Sequence, residues 1–161
     1  MILRNWFYII SILSFIAILF ALTAEFVFEL YPCSMCLKQR HPYYFIIIMF
    51  VLFKLLKQFK KIWFFLSVQI AIIYGLFYSF WHVGIEQKIL KGPTSCTSNI
   101  NISDSVSDLK EQIMNKPIIN CEDVIWSFYG ISAATINSFL LILIIIINSV
   151  YLLKYYEAQK S

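Results

Sequence analysis

Charged residues are absent from three long stretches of this sequence, residues 5–24, 62–85 and 124–153. A helix crosses the hydrocarbon core of a bilayer in about 20 residues, so each stretch is long enough to span it. Of the 161 residues, 60% are hydrophobic, and the mean hydropathy is +0.75. A small water-soluble core needs less apolar sequence, so we predict that residues 1–161 form one integral membrane domain.

The first charge-free stretch also lacks the features of a cleavable signal peptide. Its apolar part has full transmembrane length, whereas the apolar part of a signal peptide is short. Its small-x-small candidate, residues 21–23, ends in Thr23, which is bulkier than the usual alanine. We therefore expect this segment to be retained as a transmembrane helix.

A fourth span is predicted between the first two charge-free stretches. The apolar residues 43–53 are too few to span by themselves, but residues 42–59 suffice if Lys54 and Lys57 reach the headgroups. The expected fold is an all-α membrane protein, a bundle of four transmembrane helices. The four predicted spans cover residues 5–24, 42–59, 62–85 and 124–153. An even number of spans places both termini on one side.

Basic residues are densest at the termini and between spans two and three. They are Arg4, Lys54, Lys57, Lys60, Lys61, Lys154 and Lys160. Because cytoplasmic segments are rich in Lys and Arg, we expect both termini in the cytoplasm. The two outer loops, residues 25–41 and 86–123, hold all four cysteines: Cys33, Cys36, Cys96 and Cys121. This placement indicates an oxidising outer compartment.

The second outer loop contains a predicted short amphipathic helix at residues 105–115. Ser105 to Asp108 resembles a capping box, apolar residues follow near helical spacing, and Pro117 comes just after the end. Such a helix either lies on the membrane surface or packs against its neighbours. An amphipathic pattern does not decide between these two positions.

Cys33 and Cys36 form a Cys-x-x-Cys pair between the first two spans. Pro32 favours a helix that begins here and directs its positive end at the first sulfur, which stabilises a thiolate. If the helix continues, Arg40 lies one turn beyond Cys36 on the same face. A cation there favours the ionised form of Cys36, so the pair is a candidate redox site.

Structural roles for the cysteines are the alternative. Cys33 and Cys36 could form an inert staple, or half of a zinc site completed by Cys96 and Cys121. The sequence lacks the second Cys-x-x-Cys pair that such zinc sites usually have, so we predict no metal. A disulfide between Cys96 and Cys121 could contribute about 3 kcal/mol of stability. The same disulfide could instead relay electrons by thiol exchange.

His82 and Glu86 are four residues apart at the outer end of the third span. On a helix they share a face, where they could serve in proton transfer. An equally good interpretation is that His82 hydrogen-bonds the backbone and that Glu86 simply marks the helix end. The sequence leaves both interpretations open.

Several strings, in this order and spacing, resemble the bacterial DsbB family. They are residues 32–44, where PCxxC is followed by Gln-Arg, residues 81–87 and residues 92–96, with Cys121 before the last span. The resemblance implies a thiol:quinone oxidoreductase of the bacterial inner membrane with its cysteine loops in the periplasm. Such an enzyme reoxidises a DsbA-like thioredoxin-fold oxidase and passes electrons to the membrane quinone pool, ubiquinone or menaquinone.

The resemblance also implies a role for each cysteine. Cys96 would form the mixed disulfide with the soluble partner, and Cys121 would be released to attack the other pair. Cys33 and Cys36 would then deliver the electrons to the quinone. All four cysteines are therefore candidate catalytic residues.

Further residues match the quinone side of the family. Cys36 corresponds to the cysteine that contacts the quinone as a thiolate, and Arg40 corresponds to the arginine that supports this site. His82 is a further match on the quinone side. The sequence departs from the best-known members at Gln39, where they carry Glu, and in the second loop, so the choice of partner stays open.

Two other functions compete with a general thiol:quinone oxidoreductase. One is a dedicated enzyme that serves a single substrate, which neither Gln39 nor the second loop excludes. The other is a membrane scaffold or metal-binding protein whose cysteines are structural. No nucleic-acid partner is expected for any of these functions.

Overall fold

The computed structural model describes residues 5–56, 61–93, 121–124 and 126–160. These residues form four helices, which confirms the predicted all-helical class. The helices are α1 (Trp6–Phe26), α2 (Ser34–Leu55), α3 (Lys61–Glu86) and α4 (Ala133–Lys160). Two short strands, β1 (Ser127–Phe128) and β2 (Ile131–Ser132), precede α4.

Three of the described helices are long and apolar enough to cross a membrane. They cover Trp6–Phe26, Ile62–Glu86 and Ala133–Ala158. Large apolar side chains on their outer faces, such as Phe15 and Phe139, are more than half exposed, whereas the polar Ser14 and Asn148 are fully buried. Apolar residues outside and polar residues inside are what a lipid environment requires, and the chain is a multi-pass membrane protein.

Helix α2 is more polar in its first half than the other three described helices. It begins at Ser34, earlier than the predicted span at residue 42, so Pro42 lies inside the helix. The earlier start is possible because the Cys33 sulfur caps the helix by accepting a hydrogen bond from the Cys36 main-chain N–H. The predicted outer loop at residues 25–41 is therefore reduced to the connection between α1 and α2.

The helices pack in chain order, α1 on α2, α2 on α3 and α3 on α4. Helices α2 and α3 approach closely where Pro42 meets Gly75. A Cβ atom on residue 75 would lie 2.6 Å from Pro42 Cγ and 3.2 Å from Leu141 Cδ1 of α4. The missing side chain of Gly75 thus lets three helices meet at one point.

Asn148 of α4 ties together three helices towards the other end of the bundle. Trp6 Nε1 of α1 donates a hydrogen bond to Asn148 Oδ1 at 3.3 Å. Asn148 Nδ2 donates to the Phe65 carbonyl at 3.1 Å and to Gln69 Oε1 at 2.6 Å, both on α3. In an apolar environment such bonds hold helices together where hydrophobic burial gives little preference.

Helix α4 begins at Ala133, later than the predicted span at residue 124. Strands β1 and β2 pair antiparallel before it. Their connecting residues, Tyr129 and Gly130, both have positive φ, 50° and 79°, as a two-residue type I′ hairpin turn requires. Ser132 then caps α4, because its Oγ accepts a hydrogen bond from the Thr135 main-chain N–H at 3.2 Å.

Two predicted features lie outside the described residues. One is the amphipathic helix at residues 105–115, and the other is Cys96. Three of the basic residues used to orient the chain, Arg4, Lys57 and Lys60, also lie outside them. These features therefore remain predictions from the sequence.

Candidate redox site

Cys33 and Cys36 face each other across the first turn of α2. Both are free thiols, and their Sγ atoms are 2.7 Å apart. Cys33 is the N-cap of the helix, and its Sγ lies 3.2 Å from the Cys36 main-chain nitrogen. The helix thus begins at the cysteine pair, as the sequence predicted, and its positive end is directed at the first sulfur.

The two sulfurs share their proton unequally. The hydrogen bond between the two sulfurs, helped by His82 and the Cys36 main-chain N–H, lowers the pKa of Cys33 to about 4 although burial opposes it. The same hydrogen bond raises the pKa of Cys36, as do burial and repulsion by a charged Cys33. These opposite directions favour the thiolate on Cys33, whereas the family resemblance implied a thiolate on Cys36.

His82 reaches this pair from the last two turns of α3. Its Nε2 lies 3.6 Å from Cys33 Sγ and 3.9 Å from Glu86 Oε1. The ring is buried, and it also hydrogen-bonds the main chain of Cys121. Ser132 donates a hydrogen bond to Glu86 Oε2. His82 and Glu86 share a helix face as predicted, and the expected backbone contact of His82 is present as well.

Cys121 lies beside the pair although it is far away in sequence. It is buried, and it packs with Cys33, Met35 and Ile85 in a small apolar cluster. Its Sγ is 3.8 Å from Ser34 Oγ, in the first turn of α2. Cys121 is disulfide-bonded. A disulfide sulfur and a free dithiol therefore meet at one end of the bundle.

The guanidinium of Arg40 binds α1. Its Nη1 donates to Glu25 Oε2 at 2.5 Å, and its Nη2 donates to the Ala21 carbonyl at 3.4 Å. The side chains of Arg40 and Glu25 are 13% and 22% exposed, so the ion pair is largely shielded from solvent. A carboxylate is a stronger partner for Arg40 than the protonated thiol of Cys36 would be.

Polar residues to which the sequence analysis gave no role at this site lead away from His82. Gln39 Nε2 lies 2.8 Å from His82 Nδ1, and Asn137 Nδ2 donates to Gln39 Oε1 at 3.2 Å. Asn137 Nδ2 also donates to Ser79 Oγ at 3.1 Å, and the Tyr43 hydroxyl donates to Asn137 Oδ1 at 2.6 Å. Isolated polar residues within apolar spans, such as Ser79 and Asn137, were the available signal.

The site also offers three metal-ligating atoms. The two sulfurs of Cys33 and Cys36 and a ring nitrogen of His82 lie within 4.8 Å of one another. A histidine that binds a metal donates its second ring N–H to an acceptor. The amide nitrogen of Gln39 faces that second nitrogen instead. The surroundings of His82 therefore do not suit a metal ligand.

Two aromatic residues of α3 share an apolar cluster with the cysteine pair. Cys36 is more exposed than Cys33, and Cys36, Tyr78 and Trp81 all pack against the buried cluster that contains Cys33 and Cys121. The rings of Tyr78 and Trp81 are stacked, with their centroids 6.1 Å apart. Lys38 Nζ lies 5.1 Å from the centroid of the Tyr78 ring. A planar apolar molecule at this cluster would therefore find aromatic rings as neighbours.

Comparisons with known proteins agree with this arrangement. The chain is 28% identical over 136 residues to a protein of Rickettsia prowazekii (strain Madrid E) named uncharacterized protein RP370, and the aligned region covers 83% of this chain and 78% of the relative. No solved structure gives a significant match. Residues 3–151 match the family described as disulfide bond formation protein DsbB. Since this match includes all four cysteines, the first three helices and most of α4, the chain belongs to the DsbB family.

Proposed function

We propose that this protein is a membrane thiol:quinone oxidoreductase that reoxidises a periplasmic DsbA-like dithiol protein. The observation that carries the proposal is the meeting of the free Cys33–Cys36 pair with the disulfide-bonded Cys121 at the start of α2. Thiol–disulfide exchange requires such a contact between a thiol centre and a disulfide. Membership of the DsbB family supports the same reaction.

The first exchange would take place at the disulfide of Cys121, whose second sulfur we assign to Cys96. A thiolate of the reduced partner attacks Cys96, forms a mixed disulfide and releases Cys121 as a thiolate. The second thiol of the partner then attacks the mixed disulfide and frees Cys96. The partner leaves as a disulfide, having given up two electrons and two protons.

The second exchange would begin with the oxidised Cys33–Cys36 pair. The Cys121 thiolate attacks Cys33 Sγ, breaks the bond to Cys36 and releases Cys36 as a thiolate. Cys33 is the target because it is a buried member of the cluster that contains Cys121, whereas Cys36 is only partly buried at its edge. Cys96 then attacks Cys121 and re-forms the outer disulfide, which leaves Cys33 and Cys36 reduced.

A quinone would be the final electron acceptor, because it takes up two electrons and two protons while the Cys33–Cys36 disulfide re-forms. The residues fit such a ring, since Cys36 is partly exposed and packs against the same apolar cluster as Tyr78 and Trp81. His82 would stabilise the Cys33 thiolate from the buried side. Arg40 would support this site by holding α2 against α1 through Glu25.

The relay also requires a particular arrangement in the membrane. We propose that α2 supplies the fourth span with its apolar half, so that both termini lie in the cytoplasm and the cysteines face the periplasm. Lys54, near the end of α2, lies 3.0 Å from the Tyr8 hydroxyl near the start of α1. Both residues would lie at the cytoplasmic surface of a bacterial inner membrane, where Lys is favoured.

Purified protein, a reduced DsbA-like protein and a short-chain quinone would test the proposal. We expect the quinone to be reduced as the partner is oxidised, one quinone per partner disulfide. Replacement of Cys33, Cys36, Cys96 or Cys121 by Ala should abolish turnover, whereas Ser11→Ala, a change on α1, should not. Full activity in any of the four cysteine variants would contradict the relay.

A scaffold with structural cysteines is the competing function. Thiol trapping of the protein taken directly from cells separates the two. Turnover predicts a mixture of reduced and oxidised Cys33–Cys36, because electrons pass through the pair continuously. Permanently closed bridges, or bound zinc, would favour the scaffold.

A further inference from the structure

We propose that Gln39 fixes the tautomer of His82, so that the ring presents Nε2–H to the Cys33 sulfur and an unprotonated Nδ1 to Gln39. Gln39 would then be a positioning residue, which acts on the cysteine pair through the imidazole. The tautomer is a property of the fold, but its role in electron transfer rests on the proposed function.

The direction of the hydrogen-bond chain is set at Tyr43. Its hydroxyl is buried, and it lies 2.6 Å from Asn137 Oδ1. A buried phenol must place its proton on an acceptor, so the oxygen of the Asn137 amide faces Tyr43. The nitrogen of that amide consequently faces Gln39 and Ser79.

Ser79 supports the same orientation of Asn137. The Ser79 hydroxyl donates to the Ala134 carbonyl at 3.1 Å. Ser138 donates to the same carbonyl at 2.9 Å, and its Oγ, 2.8 Å from Ser79 Oγ, is a second possible acceptor for the Ser79 proton. With the proton on either of these acceptors, a lone pair of Ser79 remains for Asn137 Nδ2 at 3.1 Å. Two independent neighbours therefore agree on which end of the Asn137 amide carries hydrogen.

The orientation of Asn137 determines that of Gln39. Because Asn137 Nδ2 donates to Gln39 Oε1, the amide nitrogen of Gln39 is the atom that lies 2.8 Å from His82 Nδ1. An amide nitrogen donates and does not accept. Nδ1 must therefore accept this hydrogen bond through its lone pair, and the single proton of the neutral ring resides on Nε2.

The result is a fixed donor beside the thiolate. His82 Nε2–H lies 3.6 Å from Cys33 Sγ and 3.9 Å from Glu86 Oε1, the two groups that carry negative charge near the ring. A second proton on Nδ1 would set two donors against each other unless Gln39 turned and lost its bond from Asn137. His82 therefore stabilises the Cys33 thiolate through the hydrogen of Nε2, as a neutral ring with no second proton on Nδ1.

Nuclear magnetic resonance of the reduced protein, in detergent micelles and with ¹⁵N-labelled histidine rings, tests the tautomer directly. The chain has two histidines, and His41→Gln identifies the signals of His82. Near neutral pH we expect His82 Nδ1 to resonate as an unprotonated nitrogen and Nε2 as a protonated one. Gln39→Glu places an acceptor opposite Nδ1, so Nδ1 should become protonated. Gln39→Met removes both donor and acceptor, so the two tautomers should mix.

Gln69→Met is the matched control, because Gln69 makes the corresponding bond to Asn148 far from His82. It should leave the His82 signals unchanged. Tyr43→Phe, which removes the first donor of the chain, is a second test and should also mix the tautomers. A protonated Nδ1 in the unaltered protein, or His82 signals that all three site variants leave unchanged, would overturn the proposal. Failure to reduce quinone would instead contradict the proposed function and leave the tautomer assignment standing.

Discussion

Arg40 of α2 and Glu25 of α1 form an ion pair at the end of the bundle that holds Cys33. The spacing of the sequence places Arg40 one turn beyond Cys36, but its guanidinium is held by the neighbouring helix. Its influence on the cysteine site therefore runs through the position of α2. This relationship leads to the first prediction.

Arg40→Ala should lower the free energy of unfolding by about 1–3 kcal/mol, because the largely buried Glu25 loses a charged hydrogen-bond partner. Thermal unfolding in detergent measures this loss. We also expect a higher quinone concentration for half-maximal turnover, at an unchanged affinity for the soluble partner. An unchanged quinone dependence would count against a role for Arg40 at the quinone site.

Glu25→Gln separates anchoring from direct contact. If Arg40 acts by anchoring α2, Glu25→Gln should reproduce part of both losses, and the double variant should lose less than the sum of the two single variants. Additive losses in the double variant would show that the two side chains act independently.

The second prediction concerns the charge on the reduced cysteine pair. Because the pKa of Cys33 is lowered to about 4, the thiolate should persist at neutral pH and disappear as the pH falls through that value. The ultraviolet absorbance of the thiolate, followed during an acid titration, measures the loss of the thiolate. His82→Ala and Cys36→Ala should each raise the midpoint, since each removes a side-chain hydrogen bond to Cys33.

Cys33→Ser is the control for the titration. It should remove the thiolate that persists at low pH, because burial, which raises the pKa of Cys36, remains in this variant. A low-pH thiolate that survives in Cys33→Ser would place the charge on Cys36 instead.

The third prediction tests which cysteine of the pair meets Cys121. In the double variant Cys36→Ser, Cys96→Ser, the two remaining cysteines are Cys33 and Cys121, which pack in one cluster. Mild oxidation should join them rapidly, and mass spectrometry of unreduced peptides would detect the bond. The matched variant Cys33→Ser, Cys96→Ser leaves Cys36 and Cys121 and should react more slowly. Equal rates would remove the argument that Cys33 receives the electrons.

The fourth prediction concerns the close approach of α2 and α3. Gly75→Ala would put a methyl group 2.6 Å from Pro42 Cγ, and the ring of Pro42 cannot rotate away. We expect a loss of about 1–3 kcal/mol of stability, as for other overpacked cores. In Gly84→Ala the new methyl meets the flexible side chain of Leu90, so its loss should be smaller. Thermal unfolding of the two variants provides the comparison.

Two helices could be predicted closely from the sequence because their apolar runs are bounded by charge. The predicted spans at residues 5–24 and 62–85 correspond to Trp6–Phe26 and Lys61–Glu86. The start of α4 was placed too early, because a count of apolar residues does not detect a hairpin. The pair Tyr129 and Gly130, both with positive φ, interrupts the run at a point where hydropathy stays high.

The cysteine pair and the shared face of His82 and Glu86 followed from local spacing, which a helix translates directly into position. The partners of Arg40 and Gln39 could not be predicted from local spacing. Glu25 and Asn137 belong to other helices, and which helix lies next to which is decided by packing such as the contact of Pro42 with Gly75. Spacing along the chain therefore did not predict the contacts between helices.

The burial of Cys33 has a consequence for the specificity of the proposed relay. With 3% of its surface exposed, Cys33 is screened from small water-soluble thiols such as glutathione, although its thiolate character would otherwise make it a centre of rapid exchange. Electrons from that pool would have to enter through the disulfide of Cys121, which a docked protein can open. Burial at the start of α2 would thus prevent soluble thiols from passing electrons directly to the Cys33–Cys36 pair.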